Sequence, residues 1–218
     1  GGFVQGDKSS GLENKANIAR AGYALFAINY RLLQSDSRPI IESLSDAKAQ
    51  EFVTEFLEND SQRDQTYAAL AALEDAIKAK EFVAKEFAGK IDTHWFIKGG
   101  SAGAYTTINL AYLADYVFNK SENPLGIIEI SGGIPNKKQY LAANDANALI
   151  IHGTTDTVVP YLMSDRLVSQ ASTANVPYQR ITAHGSGHGL AGDGIYKWRV
   201  NETGLTIFDH MTNFIDTS

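Results

Sequence analysis

The chain has 218 residues, 44% of them hydrophobic and 20% charged, which is the composition of a globular protein with one core. Its net charge of −6 disfavours a nucleic-acid surface, and no apolar run approaches the ~20 residues that span a bilayer, so we expect neither nucleic acid nor membrane as a partner. Because it contains no cysteine, the sequence excludes disulfides, thiolate metal sites and a cysteine nucleophile, and it leaves the compartment and the oligomeric state open.

The first residues have the composition of a loop. Gly1-Gly2-Phe3 is followed closely by Gly6-Asp7, and two glycines beside an apolar residue normally belong to a loop inside a domain. We therefore expect that further residues precede Gly1 in the working protein.

Apolar periodicity predicts the elements of the first half. Residues 23–30 are apolar on both faces, which is typical of a central strand in a parallel sheet covered by helices. Ser45 is suited to cap a helix that runs through Leu57, and a second helix is predicted from about Asp64 to Phe87. The apolar stripe of this second helix indicates core packing, so we assign it no chemistry.

A nucleophile elbow is predicted at 99–103, where the sequence Gly-Gly-Ser-Ala-Gly fills the Gly-x-Ser-x-Gly pattern around Ser101. A short apolar strand precedes it and an apolar helix over 104–118 follows it. The serine of such a turn has a strained backbone, and only small residues two places either side avoid a clash between strand and helix. On this pentapeptide alone, a glycine-rich turn with an incidental serine stays an alternative.

Strands alternate with helices in the second half of the chain. Short β-rich runs and the helical stretches that follow them lie at 126–131, 148–152, 161–173, 178–183 and 206–215. This alternation predicts an α/β fold whose mostly parallel sheet has helices on both faces. Catalytic groups of such folds lie on loops at the carboxyl ends of the strands, which is where Ser101 falls.

Two further loops of this kind supply residues that would activate Ser101. Asp156 follows the predicted strand over 148–152, and His188 follows the one over 178–183, so the chain order is Ser, Asp, His. A serine hydroxyl is a poor nucleophile until an imidazole takes its proton, and a carboxylate fixes the tautomer of that imidazole. We predict that Ser101 is the nucleophile, His188 the general base and Asp156 the orienting acid.

The choice of histidine rests on its neighbours, because His184 and His188 share one loop. A glycine on each side of His188 lets the ring reach back toward the serine, so His188 is preferred and His184 is the alternative. His152, at a strand end, is expected to make a structural hydrogen bond. Asp193 has no second ligand at suitable spacing, so we expect no metal, and no organic cofactor is expected either.

These motifs resemble the α/β-hydrolase esterases of the hormone-sensitive-lipase and feruloyl or acetyl-xylan esterase type. In that family a His-Gly-Gly-Gly-Phe segment ends the third strand, and Gly1-Gly2-Phe3 is similar to its tail. The resemblance covers most of the chain and includes 29–32, the elbow and the segment 152–160. Peptidases of the prolyl-oligopeptidase type share the elbow and the last segment.

The resemblance implies an oxyanion hole and a substrate pocket. By the family's pattern, the oxyanion donors are the backbone N–H groups of Ala102 and of Gly1 or Gly2. Tyr196 and Trp198 are candidates for substrate-binding walls, and the alternative is that these aromatic rings simply anchor their loop on the core.

The departures from the family lie in the first half. The third strand, which in this fold lies between the strand at 23–30 and the strand of the elbow, is missing from the chain, and without it these two would lie about 9.6 Å apart. We therefore expect residues 1–218 to be a single catalytic domain that is incomplete at its N-terminus and lacks its first strands. The stretch 35–63 is longer than the family's usual link, so we expect a small lid insertion there.

These motifs and the resemblance favour one function: a serine carboxylic ester hydrolase that acts on short acyl esters through an acyl-enzyme on Ser101. Its expected partner is a small-molecule ester, whose acyl and alcohol halves stay open. One alternative is a prolyl-oligopeptidase-like peptidase or acyl-peptide hydrolase, although 218 residues leave no room for the propeller that such enzymes usually carry. The other is a non-catalytic ligand-binding protein on a hydrolase scaffold, a class that typically lacks a triad member.

Overall fold

The computed structural model describes residues 2–9, 15–33, 39–56, 63–120, 122–135, 138–190, 199–200 and 202–218. The chain divides into two units, the first formed by Gly1–Thr93 and Leu113–Glu122, the second by His94–Tyr112 and Asn123–Ser218. A single domain over residues 1–218 therefore stays a prediction from the sequence.

Within the described residues the elements follow in the order α1 (Lys15–Arg20), α2 (Asp46–Phe56), α3 (Arg63–Glu86), β1 (Phe96–Gly100), α4 (Ala102–Tyr112), α5 (Ala114–Phe118), β2 (Gly126–Ile130), β3 (Asn147–Gly153), α6 (Leu162–Ala174), β4 (Tyr178–Ala183) and α7 (Ile207–Thr217). No helix of this part of the chain is long and apolar enough to cross a bilayer.

The first unit is built on the pair α2 and α3. Apolar residues at helical spacing give α2 a buried face that includes Phe52 and Phe56, whose rings stack with centroids 4.3 Å apart. The facing stripe of α3 includes Leu70 and Leu73, which are fully buried. Both predicted helices are thus confirmed, with Leu57 outside the described residues.

Residues 23–30 form no strand, so the prediction of a central strand here is wrong. A strand needs a neighbour to receive its backbone hydrogen bonds, and none of the four described strands pairs with this segment. Leu25 and Phe26 are 37% and 39% exposed, whereas a strand covered by helices would bury both. Side chains attach the segment instead: the Phe26 ring packs edge-on against Phe87, with centroids 4.9 Å apart.

The described part of the predicted lid insertion, residues 39–56 and 63, contains α2. Residues 35–38 and 57–62 lie outside the described residues. The role of this insertion as a lid stays a prediction.

The second unit contains a parallel sheet in the order β1-β2-β3-β4. The register places Gly100 beside Ile130 and Ile130 beside Ile151, so the carboxyl ends of neighbouring strands lie along one edge. All residues of β2 are buried, and all but Glu129 are isoleucine or glycine, as expected of a strand that is covered on both faces.

Helices cover both faces of this sheet, as the sequence predicts. Gly99 and Glu129 are neighbours on one face, and α4 lies against it. The other face packs against α7 in a core cluster that includes Ile128, Ile130, Leu149, Ile151, Ile207, Met211 and Phe214. A capping box between Thr206 and Asp209 begins α7.

One predicted helix is divided. The sequence pattern favours a continuous helix over 104–118, but α4 ends at Tyr112 and α5 begins at Ala114. Leu113, the N-cap of α5, has a backbone φ of −124°, outside the helical range. Apolar periodicity continues across this break, so the pattern alone could not reveal it.

Candidate active site

Ser101 lies on a sharp turn between β1 and α4. Its φ of 54° is in the left-handed region, and its N–H donates to the carbonyl oxygen of Ile130 over 2.9 Å. A Cβ added to Gly99 would meet the carbonyl oxygen of Gly103 at 2.0 Å, so only glycine fits there. Apart from its chain neighbours and the backbone of its own helix, no described atom lies within 4 Å of a Cβ built on Gly103, so the predicted steric need does not extend to that position.

The structure brings Ser101, His188 and Asp156 into one hydrogen-bonded chain. Nδ1 of His188 lies 2.8 Å from Oδ2 of Asp156, and Nε2 of His188 lies 2.9 Å from Oγ of Ser101. An ionised carboxylate only accepts, so Nδ1 carries the proton and Nε2 is free to accept from the serine hydroxyl. This is the tautomer that a general base needs.

The Asp156 carboxylate is fully buried, and hydrogen bonds hold it in place. Its Oδ1 accepts from the backbone N–H groups of Val158 and Val159, each over 2.9 Å. Burial alone would raise the pKa of Asp156, but the hydrogen bonds from His188, Val159 and Val158 outweigh it and lower that pKa below its usual value. The carboxylate is therefore ionised at neutral pH.

The loops that carry Asp156 and His188 are joined to each other. The N–H of Thr155 donates to the carbonyl oxygen of Ser186 over 3.0 Å, and a Cβ on Gly153 would meet that same oxygen at 2.3 Å. This close approach fixes the distance between the two side chains of the triad.

Sequence reasoning missed Ser131, at the carboxyl end of β2. Its φ is 55°, and its buried hydroxyl accepts from the N–H of Gly189, the residue after His188, over 3.4 Å. Ser131 thus contacts the loop that carries His188. Its position one residue beyond a buried strand was the signal that could have identified it.

Neither His184 nor His152 makes a described hydrogen bond to Ser101. His184 is exposed, and among the described residues no hydrogen bond links its ring to Ser101 or Asp156. His152 makes the predicted hydrogen bond at the strand end, with Nε2 2.9 Å from the carbonyl oxygen of Val159.

The remaining predicted site residues are only partly described. Ala102 is the first residue of α4, where a backbone N–H has no partner within the helix. Gly2 belongs to the first unit and has a φ of 65°, and Gly1 lies outside the described residues. Tyr196 and Trp198 also lie outside them, so the oxyanion pair and the pocket walls stay predictions.

The described residues contain no group of three or more His, Asp or Glu side chains arranged to hold a metal ion. Asp193, which the sequence gives no second ligand, lies outside the described residues.

No protein-family model and no curated protein matches the sequence. Solved structures do match. Esterase 2 of the planctomycete Thermogutta terrifontis, determined with propionate bound, aligns with a TM-score of 0.66 and 15% identity over 99% of this chain and 78% of that one. The chain has the α/β-hydrolase fold.

Two more solved structures support this assignment. MGS-M1, an α/β-hydrolase enzyme from a Medee basin deep-sea metagenome library, aligns with a TM-score of 0.63 and 16% identity over 99% of this chain and 80% of that one. The Bacillus cereus carboxylesterase aligns with a TM-score of 0.59 and 17% identity over 97% of this chain and 82% of that one. The predicted fold class is confirmed.

Proposed function

We propose that the protein is a serine esterase that hydrolyses small carboxylic esters through an acyl-enzyme on Ser101. The observation that carries the proposal is the chain of hydrogen bonds from Ser101 through His188 to Asp156, 2.9 Å and 2.8 Å long. Ser101 also lies on the strand-to-helix elbow, which is where the α/β-hydrolase fold holds its nucleophile. The structural neighbours named as esterases add support.

The geometry of the three side chains supports the following acylation step. His188 Nε2 takes the hydroxyl proton as Ser101 Oγ attacks the ester carbonyl carbon, giving a tetrahedral intermediate with a negatively charged oxygen. The intermediate expels the alcohol, which receives the proton from His188, and the acyl group stays on the serine. Asp156 stays ionised throughout and stabilises the imidazolium that exists between these two proton transfers.

Deacylation repeats the sequence with water. His188 takes a proton from the water as it attacks the acyl carbon, and then returns a proton to Ser101 Oγ as the acid leaves. The bonds broken and formed balance without an oxidant or a metal.

The oxyanion needs fixed hydrogen-bond donors. We propose that one is the N–H of Ala102, which begins α4 and so has no helical acceptor. The second donor, Gly1 or Gly2, is a proposal from sequence resemblance.

Short acyl groups are the proposed substrate class. The Thermogutta terrifontis esterase has been determined with propionate, a three-carbon acid, and its likeness to this chain supports a small acyl group here. The alcohol half is left to experiment.

A substrate panel tests the proposal. Turnover of p-nitrophenyl esters of increasing acyl length, feruloyl esters, acetylated xylan and aminoacyl amides is measured, together with labelling by an organophosphonate. We expect turnover that is highest for the shortest p-nitrophenyl esters and one label on Ser101. Ser101→Ala should lose both, whereas Ser172→Ala, on an exposed part of α6, should lose neither. A wild-type protein that takes no label and cleaves no ester would refute the proposal.

A further inference from the structure

A second histidine contacts the triad aspartate. The side chain of His152 is fully buried at the end of β3, and its Nε2 lies 2.9 Å from the carbonyl oxygen of Val159 and 3.3 Å from Oδ2 of Asp156. A carbonyl oxygen only accepts, so Nε2 carries the proton. Nδ1 is buried without a hydrogen-bond partner among the described residues.

The two backbone groups of Val159 connect this histidine to the other carboxylate oxygen. The Val159 carbonyl accepts from His152, and the Val159 N–H donates to Oδ1 of Asp156 over 2.9 Å. His152 therefore anchors the residue whose N–H holds Oδ1, while the N–H of its own ring lies against Oδ2. The Oδ2 atom also accepts from His188 Nδ1 over 2.8 Å.

We propose that His152 is a positioning residue of the esterase reaction, holding the turn 156–159 and the Asp156 carboxylate so that Oδ2 faces Nδ1 of His188. This inference rests on the proposed function. A carboxylate free to rotate about its Cβ bond would stabilise the imidazolium less, and that cation exists only after the serine proton has moved.

The effect should appear in kcat and not in KM. His152 is fully buried and cannot touch substrate, so ground-state binding does not depend on it. A misplacement of a catalytic group by about 1 Å costs up to about a hundredfold in rate, and we expect a loss of about ten- to a hundredfold in kcat.

The pH profile supplies a readout that a purely structural role would not change. The acid side of the kcat/KM profile reports proton uptake by the general base. The titratable and charged groups described around the His152 ring include Asp156 and, edge-on at 5.6 Å between centroids, Tyr161. Arg180 lies over the Tyr161 ring, 4.4 Å from its centroid, and His188 lies beyond the carboxylate. If Asp156 is misaligned, it favours the protonated form of His188 less, so the acid limb moves to lower pH.

Two polar substitutions distinguish positioning from packing. The amide nitrogen of His152→Gln reaches the place of Nε2, whereas the shorter side chain of His152→Asn places its amide near Nδ1. Rates with p-nitrophenyl acetate are normalised by organophosphonate titration of Ser101, so that only correctly folded sites are counted. The same pair of substitutions at His184, which is exposed, is the matched control.

We expect His152→Gln to keep kcat within about threefold of wild type with an unchanged acid limb. His152→Asn should lose at least about tenfold in kcat, keep KM within about twofold and move the acid limb to lower pH. Both His184 variants should match wild type.

Equal kcat values and equal acid limbs for the Gln and Asn variants would overturn the inference and leave the esterase function standing. Two variants that give no folded protein, as judged by circular dichroism, would assign His152 to folding alone, which also overturns it. A wild-type protein without turnover or label would instead overturn the proposed function, and this inference with it.

Discussion

Gly99 approaches Gly103 so closely that a Cβ added to Gly99 would lie 2.0 Å from the carbonyl oxygen of Gly103 and 2.7 Å from Oγ1 of Thr107. Strand β1 and helix α4 therefore touch directly at the elbow. Because Ser101 lies between them, any separation of the strand from the helix also moves the nucleophile.

Gly99→Ala should disrupt the elbow. The clash is with backbone, which cannot turn away, so we expect a loss of about 1–3 kcal/mol in the free energy of unfolding and, from displacement of Ser101, about a hundredfold loss in kcat/KM. Gly103→Ala should keep the wild-type activity. Its free energy of unfolding should rise by up to about 1 kcal/mol, since alanine favours the helix. Urea unfolding and ester turnover measure both, and a fully active Gly99→Ala protein would contradict the elbow geometry.

Removal of the nucleophile or the base should abolish turnover. Ser101→Ala and His188→Ala should each lose activity on the order of a millionfold, because triad residues act as a unit. His184→Ala should stay within about twofold of wild type, because its exposed ring makes no described contact with Ser101. Rates of p-nitrophenyl acetate hydrolysis decide this, and a more damaging His184→Ala would reassign the base.

Asp156→Asn should lower the rate by roughly ten-thousandfold, because an amide supports the wrong imidazole tautomer. The fold should survive, since the Asn carbonyl can still accept from Val158 and Val159. The lowered pKa of Asp156 means that its ionised form stabilises the folded protein above the ordinary carboxyl pKa, and this contribution is lost as pH falls. Acid unfolding of the variant should accordingly depend less on pH below about 4 than that of wild type, as circular dichroism would measure.

The second half of the chain was predictable because its signals are local. Strands β2 and β3 are short runs rich in isoleucine, β1 ends in the glycines of the elbow, and the order Ser101, Asp156, His188 places the triad at three strand ends. The elbow pattern then selects the serine. These features do not depend on which distant residue packs where.

The first half was less predictable, because an apolar run becomes a strand only beside a partner. Residues 23–30 have the right composition, yet the strand partner is a property of the assembled sheet. The roles of Ser131 and His152 likewise depend on distances to Gly189 and Asp156, which no spacing rule encodes.

Glu74 should stabilise the first unit at neutral pH. Burial alone would raise its pKa, but hydrogen bonds from Ser43, Arg31 and the N–H of Glu42 overcome this and lower the pKa to about 2. A lowered pKa contributes stability above the unfolded value, which is lost as pH falls. Glu74→Gln should lower the free energy of unfolding by about 3 kcal/mol at pH 7, because Arg31 loses one of its carboxylate partners. This difference from wild type should narrow toward about pH 3. Urea unfolding across this range would expose an error if the difference instead stayed constant.

The pKa of Glu129, on β2, is shifted in the opposite direction to that of Glu74. Its carboxyl is completely buried; Oε2 accepts from the N–H of Gly132 over 2.9 Å, and Oε1 has no hydrogen-bond partner among the described residues. Burial raises the pKa of Glu129 to about 8, although the Gly132 hydrogen bond and the charge of Arg180 oppose this. The side chain is therefore mostly protonated at pH 7 in the folded protein.

Glu129→Gln should stabilise the protein at alkaline pH. Between the unfolded pKa and about 8, the folded state holds a proton that the unfolded state has released, so wild-type stability falls as pH rises through this range. The loss should be on the order of 3 kcal/mol between pH 5 and pH 8. Glutamine keeps the acceptor for Gly132 and cannot ionise, so the variant should match the wild-type stability near pH 5 and exceed it at pH 8.

Glu86→Gln, on the exposed end of α3, is the matched control and should unfold like wild type at both pH values. Urea unfolding of the three proteins gives the answer, and a wild-type advantage over Glu129→Gln that grows with pH would mean that Glu129 is ionised and paired in the folded state.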